Sequence, residues 1–248
     1  MEAQVPPELL SGRSRGAHVK ALFESIAGHY DKVNDLMTAG QHRTWKRELV
    51  RLLGIAPGDR CLDLCTGTGD LAFLVKAAAG ESGNVTALDF SPEMLARARG
   101  RSGAEAIAWL EGDALALPFD AASFDHVSVG FGLRNVASLE GALAEMWRVL
   151  RAGGTAASLD MAKPSLPLLK PLIRTYEFAI VPRLAQLAGA PGQPYRYLPR
   201  SNVEFPDRAG LERLFRQAGF VEVRAHEKAF GAVAIVTGTK PPVGQGDV

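Results

Sequence analysis

The hydrophobic pattern divides the chain into a helical start, an alternating middle and a mixed end. Apolar residues recur at three- and four-residue spacings from Val19 to Leu53, which is typical of amphipathic helices. Between residues 60 and 160, short apolar runs predict buried strands, and helix-patterned stretches separate them. The predicted strands cover residues 60–65, 84–88, 106–110, 124–129 and 155–160, and the predicted helices cover residues 71–79, 92–99 and 139–150.

The alternation favours βαβ units, so it predicts a doubly wound, mostly parallel α/β sheet that is covered on both faces. After Lys163 the alternation gives way to an apolar helical segment at residues 165–190, which three prolines interrupt. The pattern ends with a helix at about 208–218 and two strands at 221–227 and 232–239. A glycine-marked turn between these strands predicts an antiparallel hairpin at one sheet edge.

One α/β domain with an inserted helical segment accounts for this order of elements. We place the domain at residues 18–240, with N-terminal helices, a seven-stranded sheet and a helical insert at about 164–204. Residues 1–17 and the tail 241–248 are rich in proline, glycine and serine, which predicts disordered ends.

The composition limits the classes of partner. The chain is 47% hydrophobic and 22% charged, as in a protein with a substantial core, and its net charge of +1 gives no indication of a nucleic-acid partner. Its two cysteines, Cys61 and Cys65, are expected to be buried thiols, which favours a reducing cytoplasm. No stretch supplies the roughly 18–20 uncharged apolar residues of a membrane-spanning helix.

The segment Asp63-Leu-Cys-Thr-Gly-Thr-Gly-Asp70 predicts a ligand loop between the first strand and its helix. Gly67 and Gly69 permit a sharp turn and let a ligand approach the backbone, and the free amides of the next helix can meet polar ligand groups. Thr66 and Thr68 complete the candidate contacts within the loop.

Two further carboxylates follow later strands. Asp89 ends the second strand, where a carboxylate suits a ribose diol. Asp113 follows the third strand and can accept a hydrogen bond from an adenine amino group, next to Ala114, with Phe90 or Leu115 against the ring. The loop and these residues predict an adenosine-containing cofactor.

A nicotinamide-dependent dehydrogenase is the main alternative, because Gly67-x-Gly69-x-x-Ala72 also fits the dinucleotide fingerprint. Asp63 can hold the ammonium of an amino acid, whereas Asp63 and Asp70 together would repel a pyrophosphate. This electrostatic argument favours S-adenosylmethionine.

Four segments extend the argument beyond the loop. They are Phe23–Asp31, Asp63–Leu71, Gly130-Phe-Gly-Leu-Arg-Asn-Val136 and Tyr197–Ser201. Together they resemble the quinone-biosynthesis C-methyltransferases, class I S-adenosylmethionine-dependent enzymes with a Rossmann-like fold, and the resemblance covers about residues 20–240. It implies methylation of a ring carbon of a reduced isoprenoid quinone precursor, such as demethylmenaquinol, in menaquinone or ubiquinone biosynthesis.

The resemblance also implies cofactor contacts at Thr68, Asp89, Asp113 and Ala114. Gly130 stands where that family often has serine, so its contact is expected to come from the backbone.

The candidate catalytic residues follow the fourth strand or belong to the N-terminal helices. We expect Arg134, next to Asn135, to stabilise an oxyanion or position a water, since a guanidinium stays protonated. An ion pair with Glu140 or another surface acid is the structural alternative. Tyr30 and Asp31 are expected to close over the site, with Asp31 a candidate proton acceptor. The five histidines show no metal-ligand spacing, so no metal is predicted.

Other interpretations stay open at this point. The acceptor can be another lipid or aromatic molecule, such as a ubiquinone precursor, a phytyl-naphthoquinone or a tocopherol-like compound, or the chain can be a non-catalytic binding protein. The apolar segment at residues 166–188 can line an isoprenoid groove, touch a membrane surface or simply pack on the sheet. The expected partners are therefore an isoprenoid quinol, a peripheral membrane contact at the inner face and a second copy in a homodimer.

Overall fold

The architecture is a single sheet with helices on both faces. The computed structural model describes residues 12–164, 168–190, 202, 205–242 and 244. Within them, seven strands form one sheet in the order β3-β2-β1-β4-β5-β7-β6. The strands are β1 Arg60–Leu64, β2 Asn84–Asp89, β3 Ala108–Glu111, β4 Phe124–Gly130, β5 Leu150–Met161, β6 Val221–Lys228 and β7 Val233–Thr239.

The strand directions confirm the predicted doubly wound sheet. The first five strands pair in parallel, while β7 runs antiparallel to both β5 and β6. The C-terminal hairpin is therefore present, and β7 inserts between β5 and the edge strand β6. The third strand begins at Ala108 rather than at residue 106, because a short 3-10 turn occupies Ala104–Ala106.

The helices follow the predicted order. They are α1 Gly12–Ile26, α2 Tyr30–Thr38, α3 Gln41–Leu53, α4 Asp70–Ala79, α5 Pro92–Arg99, α6 Leu139–Val149, α7 Leu169–Thr175, α8 Val181–Leu187 and α9 Arg208–Gln217. The first helix begins at Gly12, which is earlier than the predicted domain boundary, and residues 1–11 lie outside the described part. A π-helical turn, Tyr176–Ile180, joins α7 to α8 within the insert.

Side-chain caps fix where several helices start. Ser91 accepts a hydrogen bond from the Met94 amide at 3.3 Å and Pro92 follows it, so α5 begins there as the sequence indicates. Ser138 caps α6, and Asp207 caps α9. His126 is a core histidine with both ring nitrogens partnered, since its ring lies 2.6 Å from the Thr155 hydroxyl and 2.9 Å from an Asp59 carboxylate oxygen.

The core has a layer on each face of the sheet and a third cluster above its carboxyl edge. Side chains of α6 and α9 pack on one face, and those of α3 and α4 pack on the other. The third cluster joins α1, α2 and α8, with Ile26 and Val33 fully buried. Among the described helices, none combines the length and apolar character that crossing a bilayer requires.

Candidate active site

A cavity of about 520 Å³ lies at the carboxyl edge of β1, β2 and β4, where open α/β sheets bind their ligands. Helices α1 and α2 cover it. Six of the predicted cofactor residues line it: Gly67, Asp89, Phe90, Asp113, Ala114 and Gly130. Of the predicted catalytic residues, Tyr30 and Asn135 line it as well. Asp63, Thr66, Thr68, Gly69, Asp31 and Arg134 lie behind this first layer.

The loop between β1 and α4 turns through left-handed backbone. Cys65, Gly67 and Gly69 have φ values of 51°, 57° and 85°. A Cβ at Gly69 would lie 2.6 Å from the Trp109 ring, so glycine is required there for both conformation and space. The loop therefore brings backbone, rather than side chains, to the cavity at Gly67.

Asp89 supports the loop and also faces the cavity. One of its carboxylate oxygens accepts the Gly67 amide at 2.8 Å, and the other accepts the Ser91 amide at 2.9 Å. Burial raises the pKa of Asp89, and these amide hydrogen bonds oppose the rise. A carboxylate has about four acceptor positions, so two remain for hydroxyl donors from a ligand. This geometry fits the predicted ribose contact.

Asp63 is more deeply placed than the sequence suggests. It is fully buried in β1, and its two oxygens accept hydrogen bonds from the Thr66 and Ser128 hydroxyls, each at 2.6 Å. Burial raises its pKa to about 6, and the two hydroxyls oppose that rise. The structure therefore does not bring Asp63 to the cavity wall.

We expect Asp63→Asn to change how stability depends on pH. Because the folded pKa of about 6 lies above the ordinary value of 3.8, the folded protein binds this proton more tightly than the unfolded chain. The stabilisation is complete below pH ~4 and is lost as the pH rises through ~6. Urea denaturation at pH 4 and 7 should show the wild-type stability, relative to the variant, falling by about 2–3 kcal/mol. The exposed substitution Asp120→Asn is the control, and equal pH profiles for wild type and Asp63→Asn would contradict the expectation.

Asp70 is neutralised, which corrects the electrostatic argument from the sequence. Its carboxylate lies 3.1 Å from the Lys46 ammonium and 2.7 Å from the Arg101 guanidinium. Burial works against its ionisation, but these two cations lower its pKa to about 2. With Asp63 hydrogen-bonded inside β1 and Asp70 paired, the loop presents no ring of free negative charge, and Asp89 is the acid of this region that faces the cavity.

A second wall of the cavity is formed by the residues that follow β2 and β3. Phe90 and Ala114 line the cavity, and Leu115 lies beside them. Asp113 is exposed and accepts the Leu115 amide at 2.9 Å through one oxygen, so its second oxygen stays available to the cavity. These residues form an apolar slot with a carboxylate at its rim, which is the arrangement predicted for an adenine.

Helices α1 and α2 close the cavity on the outside. The Tyr30 ring lies over the loop, 4.0 Å from the position of a Cβ at Gly67. Burial raises the pKa of Tyr30, and the Arg134 charge opposes the rise. Asp31 is exposed and accepts a hydrogen bond from the Thr68 hydroxyl at 2.6 Å. Asp31 therefore ties α2 to the cofactor loop, and this contact explains why a covering helix carries an acid there.

The turn after β4 positions Arg134 and Asn135. A Cβ at Gly132 would lie 2.4 Å from that of Cys65, so only glycine lets this turn approach the loop so closely. Arg134 donates to the carboxylate of Asp160 at 2.5 Å, and Asp160 is only 1% exposed. Arg134 thus pairs with a buried acid of β5 rather than with Glu140. Asn135 donates to the Phe131 carbonyl at 3.3 Å.

Sequence reasoning missed several residues of this region. Gly16, Lys20 and Phe23 line the cavity from α1, and their spacing on one helix face is the signal that was available. Cys65 also lines it. Asp160 could have been found as the third acid near the carboxyl end of a strand, after Asp63 and Asp89. Across the described residues, no group of three or more His, Cys, Asp and Glu side chains is arranged to hold a metal ion.

Comparisons with known proteins identify the family of the chain. A demethylmenaquinone methyltransferase of Desulfitobacterium hafniense is 40% identical over 235 residues, covering 93% of each chain. One of Staphylococcus aureus is 34% identical over 233 residues, covering 94% of this chain and 97% of the other. The crystal structure of a SAM-dependent methyltransferase from Aquifex aeolicus shares the fold, with a TM-score of 0.59 at 17% identity over 84% of this chain and 97% of that one. The model of the ubiE/COQ5 methyltransferase family matches residues 12–240. The chain therefore belongs to the ubiE/COQ5 methyltransferase family and is an S-adenosylmethionine-dependent methyltransferase.

Proposed function

We propose that this enzyme methylates a ring carbon of demethylmenaquinol and so forms menaquinol. The observation that carries the proposal is the similarity to demethylmenaquinone methyltransferases along nearly the whole chain, at up to 40% identity. A cavity with mostly apolar walls, which Asn135 also lines, supports an acceptor that combines an aromatic ring with hydroxyl groups.

The residues at the cavity fit the cofactor. Asp89 would hold the ribose hydroxyls, Asp113 the adenine amino group and Phe90 the adenine face, while the Gly67 backbone would lie against the amino-acid part. When bound, S-adenosylmethionine supplies an electrophilic methyl group on a sulfonium. Everything else in the reaction depends on how the chain orients the acceptor and moves its protons.

Arg134 is suited to stabilise negative charge on the acceptor oxygen. Its ion pair with Asp160 fixes the guanidinium, and its Nε atom is buried without a hydrogen-bond partner. A fixed, desolvated donor aimed at developing charge needs no reorganisation during the reaction, and one such donor is typically worth roughly 10²–10³ in rate. Tyr30 covers the same region and excludes water from it.

The decisive experiment uses labelled S-adenosylmethionine with reduced demethylmenaquinone, a reduced ubiquinone precursor and a tocopherol-like phenol as acceptors. We expect label in the menaquinone product, with kcat/KM for demethylmenaquinol well above that for the other two acceptors. A folded enzyme that binds the cofactor but prefers another acceptor would overturn the proposal.

We also infer a peripheral membrane contact through an apolar surface at the carboxyl edge of the sheet. Seven of the eight exposed large hydrophobic residues among those described belong to elements at this edge, and only Val221 lies at the opposite one. We call these seven the edge surface. They are Leu36, Leu168, Leu172, Phe178, Ile180, Leu187 and Phe230.

The edge surface also carries the charge that suits anionic lipids. Lys163, Lys170, Arg174 and Arg183 are exposed around it, and none of them pairs with a carboxylate within the described part of the chain. Clustered cations beside exposed apolar side chains favour an anionic bilayer surface. A lipid-soluble acceptor would then reach the cavity without crossing water.

The membrane contact predicts a difference between two charge insertions. The double variant Leu172→Glu/Leu187→Glu should lose at least ~10-fold in affinity for phosphatidylglycerol vesicles, because each buried leucine contributes about 1.5–3 kcal/mol. Val221→Glu, at the opposite edge, should bind as the wild type does. Sedimentation with vesicles measures both. Equal vesicle binding by all three proteins would contradict the inference. A wild type that is dimeric in sedimentation velocity, with a Leu172→Glu/Leu187→Glu variant that is monomeric, would also contradict it, because the edge surface would then be buried between two copies. The homodimer itself stays a prediction.

A further inference from the structure

Glu177 is the only acidic residue of the sequence between Asp160 and Glu204. It belongs to the π-helical turn Tyr176–Ile180 in the middle of the insert. Single π-turns are rare in helices and occur frequently at functional sites, because they shift one side chain away from its regular direction. A half-buried carboxylate at such a turn, in an otherwise apolar and basic segment, requires an explanation.

The surroundings of Glu177 connect it to the residues already placed at the site. Its Oε1 atom accepts a hydrogen bond from the Asn202 side chain at 3.0 Å. The positive charge of Arg134 acts on both Glu177 and Tyr30, so the guanidinium lies near both. The hydroxyl of Tyr176 donates to the Met37 carbonyl at 2.5 Å and so anchors the turn on α2. The insert, α2 and the turn after β4 therefore meet at this point.

Three of the buried polar atoms without hydrogen-bond partners belong to residues of this group or next to it in the chain. They are Arg134 Nε, Asn135 Oδ1 and Asn202 Oδ1. Buried polar atoms in proteins are nearly always hydrogen-bonded, so such a group indicates a ligand or water that completes it. One donor and two acceptors match a hydroxylated ring, because a phenolic hydroxyl both donates and accepts.

We propose that the π-helical turn Tyr176–Ile180 and Asn202 form the acceptor side of the active site, with Glu177 as the catalytic base for a quinol hydroxyl and Asn202 as the positioning residue that holds its carboxylate. The proposal rests on the proposed function, because it takes the acceptor to be a hydroquinone. The residues assigned to the cofactor all lie outside the insert, so the proposal gives these two insert residues a chemical role of their own.

The proton transfer balances with the groups present. Glu177 takes the hydroxyl proton, the O–H electron pair stays on oxygen, and Arg134 faces the oxyanion. The negative charge spreads into the ring and makes a ring carbon nucleophilic. After this carbon has been methylated, its ring proton leaves to solvent and Glu177 returns its own proton to the oxygen, so one proton is released in each turnover.

The electrostatics of Glu177 support a base. Burial raises its pKa, while the hydrogen bond from Asn202 and the charge of Arg134 oppose that rise. Among the described residues, Arg134 is the charged group whose field reaches Glu177, and the phenol of Tyr30 shares that field. A carboxylate with a raised pKa is a stronger base once it is ionised.

The test compares Glu177→Gln with the wild type and with Glu105→Gln, an exposed substitution far from the site. We expect Glu177→Gln to lose about 10²–10⁴-fold in kcat/KM for demethylmenaquinol and to lose the acidic limb of its pH profile. Cofactor affinity by calorimetry should be unchanged, and Glu105→Gln should resemble the wild type throughout. A Glu177→Gln enzyme with wild-type kcat and an intact acidic limb would overturn the assignment.

Asn202→Ala provides a second measurement, which remains informative if Glu177→Gln does not fold. Losing the Asn202 hydrogen bond should raise the pKa of Glu177, so the acidic limb should move to higher pH while cofactor affinity is unchanged. A limb that stays in place or moves to lower pH rejects the assignment. The wild-type acceptor comparison separates the two proposals: a wild type inactive on demethylmenaquinol rejects the proposed function, whereas an active wild type with unaffected variants rejects only the role of Glu177.

Discussion

Arg134→Ala is expected to destabilise the protein by about 3–5 kcal/mol, in addition to abolishing methylation. The substitution leaves the Asp160 carboxylate in a place where only 1% of the residue is exposed, without the cation that pairs with it. An uncompensated buried charge is one of the few causes of so large a loss from a single change. Urea denaturation of the purified variant measures the effect.

A double variant separates folding from chemistry at this pair. Arg134→Leu/Asp160→Leu removes both charges and fills the space with apolar atoms, so it should recover most of the lost stability and still lack activity. The control is Arg216→Ala, which breaks an exposed ion pair with Glu212 on α9 and should cost less than ~1 kcal/mol. If Arg134→Ala is as stable as this control, Asp160 does not depend on Arg134.

Asp89→Asn is expected to weaken binding of S-adenosylmethionine by at least ~10²-fold. Hydrogen bonds to a charged group contribute about 1.5–3 kcal/mol each, and Asp89 would accept two of them from the ribose hydroxyls. The amide also places an NH2 group opposite either the Gly67 or the Ser91 amide, so the loop loses a support at the same time. Calorimetric titration of the folded variant with the cofactor gives the affinity.

The control for Asp89 is Asp120→Asn, because Asp120 is an exposed acid that does not line the cavity. This variant should bind the cofactor within a few-fold of the wild type. The same series includes a titration of the wild type with NAD. A dinucleotide also carries ribose hydroxyls, so the contact at Asp89 does not by itself exclude it. Wild-type affinity in Asp89→Asn would remove Asp89 from the cofactor site.

The fold could be predicted from the sequence because each element carries its own signal. The strand that ends at Asp89, the cap at Ser91 and Pro92, and the periodicity of α6 agree with one another, and the parallel sheet follows from their alternation. The boundary of β3 was less accurate, because the 3-10 turn Ala104–Ala106 and the buried Ile107 directly after it have the same apolar character as a strand. The family segment Tyr197–Ser201 lies outside the described residues.

The cofactor site could be predicted in its position but not in its electrostatics. The spacing of Gly67, Asp89 and Asp113 locates the loop and two strand ends. The charge state of an acid, however, depends on partners that are distant in sequence. Lys46 and Arg101 reach Asp70 from other helices and loops, and Ser128 reaches Asp63 from β4. Sequence spacing carries no information about these contacts.

Helix α2 touches both halves of the reaction centre, through Asp31 on the loop at Thr68 and through the Met37 carbonyl on the insert at Tyr176. The helix therefore joins the part of the structure that faces the donor to the part that we assign to the acceptor. A change in its position on release of one product would disturb the contacts of the other. We expect product release to be coupled for this reason, so that substitutions at Asp31 would change KM for both substrates.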